Sequence, residues 1–286
     1  MIQSMTGFGK ATILLGNKKI SVELKSLNSK GLDLNTKLPT VYREMDLGIR
    51  NQISQKLQRG KIDFSLYVEV AGEETNSKLN IPILKEYINQ LRAIVASVDE
   101  IELLKMAIRM PDALKTEREE IDENQWMEIQ KVIDEALQNI IQFRTDEGAS
   151  LEKEFIHRIA NIKTLMNRAL EYDTERIETI KTRLRSAIDE IKVTVDENRF
   201  EQELIFYLEK YDVTEEKVRL ENHLNYFIET VHENQANGRK LGFITQEMGR
   251  EINTMGSKSN HTEMQKLVVM MKDELEKIKE QVLNVL

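Results

Sequence analysis

Cysteine is absent from the 286-residue chain. Disulfide-linked partners, thiolate metal sites and thiol nucleophiles are therefore excluded, and the absence fits a cytoplasmic protein. Long hydrophobic runs are missing as well, because no stretch of about 18 apolar residues occurs, so we expect no membrane span. The first ten residues, MIQSMTGFGK, lack the basic start and apolar core of a secretory signal, which again favours a cytoplasmic location.

Several nucleotide-binding and catalytic motifs are also missing. The sequence has no Walker P-loop, no GxGxxG turn and no GxSxG nucleophile elbow, so nucleotide-binding folds and serine hydrolases are not supported. Aromatic residues make up 6% of the chain, with a single tryptophan, which is too few to indicate an RNA-stacking platform. Only three prolines occur while 31% of the residues are charged, a composition that favours long solvated helices.

Charge is distributed unevenly along the chain. The net charge is −8, yet residues 1–70 contain 11 Lys and Arg against 6 Asp and Glu, and residues 238–261 contain 4 against 2. Residues 99–135 contain 5 against 12, so the acidity is concentrated in one segment. Basic regions of this kind can hold a polyanion while the acidic part keeps the protein soluble. Ordinary fluctuation of charge along a chain explains the same pattern, so both interpretations stay open.

The first 70 residues show the pattern of β-strands with one helix. Two β-prone runs flank Gly16-Asn17-Lys18, which predicts a hairpin. Apolar residues alternate with polar ones along 20–24, 32–36 and 62–70, as they do in half-buried strands. Over 45–57 the apolar residues recur four apart, which predicts a helix. We therefore predict an α+β fold with a small N-terminal sheet, mixed or antiparallel, that carries helices.

The rest of the chain is predicted to be mostly helical. Pro82 suits the first turn of one helix, and a shorter helical segment ends at Pro111. Residues 147–192 contain no proline and one glycine, Gly148. The charged residues from Arg144 to Glu147 that precede this glycine indicate a helix boundary. This segment predicts a long helical hairpin or coiled-coil arm. The predicted domains are an α+β domain at 1–123, a helical arm or connector at 124–196 and a C-terminal helical domain at 197–286.

The segment 241–256 predicts an amphipathic helix with reactive groups along one edge. Its apolar stripe consists of Leu241, Ile244, Met248, Ile252 and Met255. Glu247 and Glu251 lie at the edge of this stripe, with Arg250 beside them. A carboxylate in this position is partly desolvated but accessible, which suits a metal ligand or a general base. After Gly256 the polar run from Ser257 to Asn260 can bind phosphate oxygens.

The segment 212–231 repeats this design. Asp212 followed by Glu215 resembles a capping box. Glu216, Arg219 and His223 line one edge of the next apolar stripe. If the two helices form an antiparallel hairpin, their polar edges face each other and these groups converge on a hydrolytic site. The alternative is structural, because Glu and Arg at helical spacing often pair on solvated faces and a histidine beside an apolar stripe is commonly structural.

Motifs along the whole chain resemble those of one family, YicC/YloC. The motifs that carry the resemblance are SMTGFG at 4–9, ELKSLN at 23–28, Leu38-Pro39, Arg59-Gly60-Lys61, Arg144 with Glu147-Gly148 and Leu151, ENRFEQEL at 197–204, DVTEEKVRLENH at 212–223 and GRKLGFITQEMGREINTMGSKS at 238–259. The resemblance implies a bacterial cytoplasmic endoribonuclease that cuts single-stranded or structured RNA with help from a divalent metal ion. It also implies a ring-like homo-oligomer, expected to be a hexamer.

The resemblance directs attention to the two polar edges. We expect Glu247 and Glu251, with Glu216, to bind Mg²⁺ or Mn²⁺, which prefers oxygen ligands. His223 is expected to act as general acid or base. The remaining predicted catalytic residues are arginines that neutralise the transition-state phosphate: Arg219 and Arg250. The predicted RNA contacts are Arg59, Lys61, Arg239, Lys240, Gln246, Lys258 and Asn260.

Alternatives remain at this level. Arg59 and Lys61 can bind phosphate or simply form a basic turn. A metal-assisted hydrolysis would leave a 5′-phosphate, whereas attack by the 2′-hydroxyl of the RNA would leave a 2′,3′-cyclic phosphate. A non-catalytic RNA-binding adaptor, and a structural homo-oligomer whose paired helices form a subunit interface, are the two rival functions.

Overall fold

The computed structural model describes residues 2–70, 77–94, 99–116, 122–191, 197–233 and 237–286. The strands are β1 (Gly7–Leu15), β2 (Lys18–Leu27), β3 (Leu32–Lys37), β4 (Gly60–Val70), β5 (Ser77–Leu79) and β6 (Leu114–Thr116). The helices are α1 (Asp46–Lys56), α2 (Ile81–Ile94), α3 (Glu100–Ala107), α4 (Glu123–Glu171), α5 (Asp173–Ile191), α6 (Glu197–Tyr211), α7 (Thr214–His232), α8 (Gly238–Lys258) and α9 (Thr262–Val282). This arrangement confirms the predicted α+β class. Within the described ranges, every helix is too short or too polar to cross a membrane.

The main sheet has four strands in the order β1-β2-β4-β3. Strands β1, β2 and β4 run antiparallel, whereas β3 pairs with β4 in parallel, so the sheet is mixed. The predicted hairpin is present, and its register from Leu15 to Lys18 leaves a two-residue turn. Gly16 has a φ of 60°, which this type of tight turn requires and which glycine adopts without steric cost. The alternating residues Ile20, Val22 and Leu24 are fully buried on one face, as the pattern predicted.

Helix α4 extends through the two larger hydrophobic cores of the described residues. It has 49 residues, which corresponds to about 73 Å of helix. The buried residues of its first half, from Ile129 to Ile140, pack with the sheet and α1. Those of its second half, from Leu151 to Ala169, pack with α7, α8 and α9. A single rigid helix therefore connects the N-terminal sheet to the C-terminal helices.

The arm predicted at 147–192 differs from the structure. The helix ends at Glu171, and α5 starts after Tyr172. The part up to Ala169 is a core element rather than a protrusion, because its apolar stripe is covered by the C-terminal helices. The predicted domain limits at residues 123 and 196 stay predictions, although the first half of α4 packs on the N-terminal sheet.

The helix boundary predicted at Gly148 is wrong. Helix α4 continues through this position, and the glycine instead allows the N-terminal segment to lie directly against the helix. A Cβ atom on Gly148 would lie 2.1 Å from the backbone oxygen of Ile2. The backbone of Ser4 donates to the carbonyl of Arg144 at 3.0 Å and forms a β-bridge with Val285. Glycine is therefore needed here for close packing of two backbones.

The Arg144 side chain is buried where this segment meets the sheet. Its Nη2 atom donates to the carbonyl oxygens of Met5 at 3.2 Å and Arg59 at 3.1 Å, and to the hydroxyl of Ser26. Burial lowers the pKa of Arg144 from its ordinary value, because desolvation disfavours the charged form. One guanidinium thereby joins the N-terminal segment, β2 and the residue before β4.

Substitution of Gly148 by alanine tests this close approach. We expect Gly148→Ala to lower the free energy of unfolding by about 2–3 kcal/mol, because the new methyl group overlaps the Ile2 backbone. Urea denaturation measures the change. The control is Gly48→Ala in α1, where nothing lies within 4 Å of the new Cβ and the helix should gain up to about 1 kcal/mol. Equal stabilisation by both substitutions would contradict the proposed backbone contact.

Candidate active site on helices α7 and α8

Helices α7 and α8 form the antiparallel hairpin that the sequence predicted. Both predicted apolar stripes are buried, and α9 packs against α8 as a third helix of the same core. Glu216 at the start of α7 contacts Lys258 at the end of α8, while His223 and Glu247 line one groove farther along the hairpin. Part of the connection, residues 234–236, lies outside the described residues. The hairpin therefore brings the two predicted polar edges to one side of the C-terminal core.

The start of α7 is stabilised differently from the predicted capping box. The Asp212 carboxylate accepts hydrogen bonds from the Thr214 hydroxyl at 2.7 Å and the Thr214 backbone N–H at 3.0 Å. These two bonds are the main reason why the pKa of Asp212 lies below its ordinary value, since they stabilise the carboxylate. Glu215, the other half of the predicted box, instead accepts from Arg219 one turn later.

Glu216 and Lys258 form an ion pair at the base of the hairpin. Lys258 Nζ donates to Glu216 Oε1 at 2.7 Å and to the backbone oxygen of Asp212 at 2.8 Å. The Glu216 side chain is only 7% exposed, and its Oε2 atom has no hydrogen-bond partner. The charge of this buried carboxylate is therefore neutralised by a residue of the same chain, which gives the pair a structural role.

The three predicted metal ligands are not assembled into one set. No three acidic or histidine side chains in the described ranges lie close enough to hold a metal ion. Glu216 lies beside Lys258 at the end of α8. Glu247 precedes Lys258 by eleven residues on the same helix, which corresponds to about 16 Å along the helix axis. Glu216 is therefore too far along the hairpin to join Glu247. Glu247 and Glu251 remain one turn apart. Glu251 is buried and makes no ion pair or hydrogen bond within the described part of the chain.

His223 and Glu247 line a single groove between the two helices. The groove has a volume of about 430 Å³ and is bordered by His223, Tyr226, Lys240, Phe243, Ile244 and Glu247. Glu247 also pairs with Arg250 at 3.2 Å, and this arginine is 76% exposed. A histidine and a carboxylate thus line one groove, and an exposed guanidinium pairs with that carboxylate. Such a set can transfer protons and bind a phosphate.

Lys240 stands at the other end of this groove. Its Nζ donates to Glu233 at 2.7 Å and lies 4.8 Å from the ring centroid of Tyr226. The hydrogen bond to Glu233 is the largest of the influences that raise the pKa of Lys240 above its ordinary value. Lys240 is therefore held over the tyrosine ring as a cation.

A second concavity joins two predicted RNA contacts from distant parts of the chain. Arg59 and Arg239 line a cavity of about 270 Å³ together with Gln58, Gly238 and Leu286. The backbone of Leu286 bridges this region, since its N–H donates to Gln3 at 2.9 Å and its carbonyl accepts from Gly238 at 3.1 Å. Arg239 makes no side-chain hydrogen bond or ion pair within the described ranges. Two guanidinium groups, one from each half of the chain, therefore border one cavity.

The other predicted site residues are spread over the surface. Lys61 on β4, Gln246 on α8 and Asn260 after α8 are all exposed. Arg219 is exposed as well, and it pairs with Glu215 rather than lining the groove. The structure thus brings His223, Lys240 and Glu247 together, and Arg59 with Arg239, but does not join these two groups into one cavity.

Sequence reasoning missed two features of the site. Arg176 on α5 is buried, and its Nη1 atom donates to the backbone oxygens of Tyr211 at 2.6 Å and Lys258 at 2.9 Å, which fixes the ends of α6 and α8. Its position four residues before buried Ile180 was the available signal. The second feature is the presence of Tyr226 and Phe243 in one groove, to which each helix of the hairpin contributes one ring.

Substitution of Lys258 separates the structural role from a role in RNA binding. We expect Lys258→Met to lower the free energy of unfolding by about 1–3 kcal/mol, because Glu216 is left buried without its partner. Adding Glu216→Leu should restore part of the loss. The control is Lys279→Met, which breaks an exposed pair with Glu276 and should cost under about 1 kcal/mol. If thermal unfolding shows equal losses for both lysines, the Glu216–Lys258 pair is not structural.

The chain matches a protein family in two parts. The family region described as endoribonuclease YicC-like, N-terminal region, matches residues 2–153. The region described as endoribonuclease YicC-like, C-terminal, matches residues 169–286 and includes all of α7, α8 and α9.

Curated relatives align with the chain over its length. A protein of Clostridioides difficile named probable endoribonuclease YicC is 32% identical over 293 residues, which cover all of both chains. A protein of Haemophilus influenzae with the same name is 28% identical over 287 residues, 99% of each chain. Both family regions and these relatives agree with the motifs found in the sequence, and the chain therefore belongs to the endoribonuclease YicC-like family.

Proposed function

We propose that the chain is an endoribonuclease that cleaves RNA phosphodiester bonds at the groove between α7 and α8. The observation that carries this proposal is the approach of His223 and Glu247 from two helices into one groove. The names of the relatives support the reaction class, since both are called probable endoribonucleases.

Proton transfer is assigned to His223 and Glu247. An imidazole ring can both donate and accept a proton, so His223 can protonate the leaving oxygen or accept a proton from the attacking hydroxyl. Glu247 is a carboxylate across the groove and can serve as the opposite partner. Arg250, paired with Glu247 yet largely exposed, can neutralise charge that develops on the phosphate.

A divalent cation, Mg²⁺ or Mn²⁺, is proposed to assist the reaction. Glu247 and Glu251 fit such an ion as oxygen ligands, because Mg²⁺ commonly uses one or two carboxylates and keeps several waters. The buried, unpaired state of Glu251 supports this assignment. Glu216 fits less well, since Lys258 already neutralises it. When bound, the ion would polarise the phosphate and activate water.

The cavity lined by Arg59 and Arg239 is proposed to bind the RNA backbone at a second place, separate from the groove where cleavage occurs. One guanidinium group can donate to two phosphate oxygens at once, and the side chain of Arg239 has no competing partner within the described residues. Lys61, Gln246 and Asn260 are exposed and can extend this path along the surface. Lys258 contributes by fixing the base of the hairpin. We propose that the protein acts in the cytoplasm.

Assembly into a ring-like homo-oligomer, a hexamer, is also part of the proposal. Exposed apolar side chains on α6 support it, since Ile205 is 55% and Phe206 is 59% exposed. Large exposed apolar side chains that lie together commonly mark protein–protein contacts.

Cleavage of a labelled RNA tests the proposed reaction. The wild-type protein should cut the RNA with Mg²⁺ or Mn²⁺, and chelator should reduce the rate. His223→Ala and Glu247→Gln should each lower the rate by about 10²–10⁴-fold, because each removes a proton-transfer group. The matched control is Glu229→Gln, an exposed glutamate of α7 outside the groove, which should cleave at the wild-type rate.

The same experiment separates the rival functions and the two mechanisms. Binding of RNA without cleavage under any metal condition would establish an adaptor instead of an enzyme. A 5′-phosphate at the new end would indicate attack by water, whereas a 2′,3′-cyclic phosphate would indicate attack by the 2′-hydroxyl of the RNA. Wild-type cleavage by both groove variants would remove the groove from the mechanism.

The mass of the particle in solution tests the proposed assembly. Analytical ultracentrifugation should give a mass six times that of the 33.3 kDa chain. The combined variant Ile205→Ser and Phe206→Ser should sediment as a smaller species, because it removes apolar surface from α6. The control Phe143→Ser changes an exposed phenylalanine on α4. A monomeric wild-type protein would exclude the ring.

A further inference from the structure

The groove between α7 and α8 is bordered by two aromatic side chains as well as by polar groups. Tyr226 comes from α7 and Phe243 from α8, and they are 44% and 67% exposed. Ile244, which also lines the groove, is buried and provides an apolar surface between the helices. Large exposed rings at a concave site form a flat apolar surface, which is the feature that a nucleobase contacts by stacking.

Positive charge lies at the end of the same groove. Lys240 in the first turn of α8 lines the groove, and this turn contains no acidic residue. Its neighbour Arg239 borders the other cavity, with Arg59. The dipole of a helix N-terminus favours anions, and Lys240, which also pairs with Glu233, adds a cation at this end of the groove. The N–H of Gly238 already donates to the backbone oxygen of Leu286. A ligand that carries both a flat ring and an anionic group would therefore complement the rings and the helix end together. A nucleotide unit of RNA has this combination.

We infer that the groove holds one unpaired nucleobase against the ring of Phe243, with the adjoining phosphate directed toward the first turn of α8. Phe243 is the principal stacking residue, because Lys240 already covers the ring of Tyr226 at 4.8 Å. Tyr226 borders the base from the opposite helix. The volume of about 430 Å³ lies within the range of small-ligand sites, about 300–1,000 Å³.

This inference rests on the proposed function and names its substrate class as single-stranded RNA. Bases in a duplex are stacked on their neighbours and cannot enter a groove between two helices, whereas unpaired bases can be turned out onto aromatic side chains. A base held beside His223 and Glu247 would also fix the position of the adjoining phosphodiester relative to the proton-transfer groups. Selection of unpaired RNA and positioning for cleavage would then have the same physical origin.

Binding measurements with three RNAs test the inference. The RNAs are an unstructured single strand, the duplex of the same sequence and a single strand of the same length with abasic sites. Fluorescence anisotropy is recorded with the full chain in chelator, so that cleavage does not interfere. Wild-type protein should bind the single strand more tightly than the duplex and the abasic strand.

The ring of Phe243 should account for this preference. Phe243→Leu should weaken binding of the single strand about 5- to 100-fold, because stacking of a base on an aromatic ring contributes this much affinity. Its affinity for the duplex and the abasic strand should stay unchanged. Phe243→Trp should retain the preference, since it keeps an aromatic face. Phe143→Leu serves as the control, since this exposed phenylalanine lies on α4.

Three results would overturn the inference. The first is equal binding of the single strand by wild-type protein and Phe243→Leu. The second is an equal loss of affinity for all three RNAs. The third is a change in sedimentation mass of Phe243→Leu without a change in RNA preference, which would make this ring a subunit contact. Retained base-dependent binding by a wild-type protein that never cleaves RNA would contradict the proposed nuclease alone. Absence of any RNA binding would contradict both.

Discussion

Burial of the Arg144 guanidinium is the interaction that fixes the N-terminal segment and the sheet on the central helix. It lies on the central helix α4 and donates to acceptors in the N-terminal segment, in β2 and at Arg59. A buried cation needs all of these acceptors, because it has lost its water. Arg59, which lines the same cavity as Arg239, is tied to α4 through its own backbone oxygen.

The charged residues of the C-terminal helices fall into two groups with different roles. Arg176, Glu216 and Lys258 make their contacts within the fold and hold the ends of α6, α7 and α8 together. His223, Glu247 and Arg250 lie one or more turns away, where they are accessible from solvent. The first group gives the hairpin a fixed base, and the second group gains a defined geometry from it. Preorganisation of this kind reduces the entropy that must be lost when a substrate binds.

Periodicity was sufficient to predict the strands of the main sheet and the helices α7 and α8, but not β5, β6, the full length of α4 or every contact between elements. The spacing of apolar residues in the sequence reflects which face of a strand or helix is buried. This spacing was enough to identify the buried face of β2, with Ile20, Val22 and Leu24, and the apolar stripes of α7 and α8. The pairing of Glu216 with Lys258 depends on the register of two helices, and a helical wheel contains no information about register. For the same reason the sequence could place His223 and Glu247 on facing edges but could not detect Tyr226 and Phe243 as neighbours. Aromatic content was low overall, yet the fold concentrates two of these rings in one groove.

The position of Gly148 inside α4 shows a further limit of predictions from local sequence patterns. A glycine in a charged helical segment commonly indicates an end, whereas here the missing side chain makes room for a second backbone. Only the tertiary contact distinguishes these two uses of the residue.

The sharing of α4 between two cores has a consequence for the order in which the chain can fold during synthesis. Strands β1 and β2 have been synthesised once the chain reaches residue 27. Much of their apolar face is buried by the residues of α4 from Ile129 to Ile140, which are synthesised much later. More than one hundred residues must therefore be made before this surface can be fully buried. Until then the sheet presents apolar side chains and an uncovered face, a state in which nascent proteins depend on chaperones to avoid aggregation.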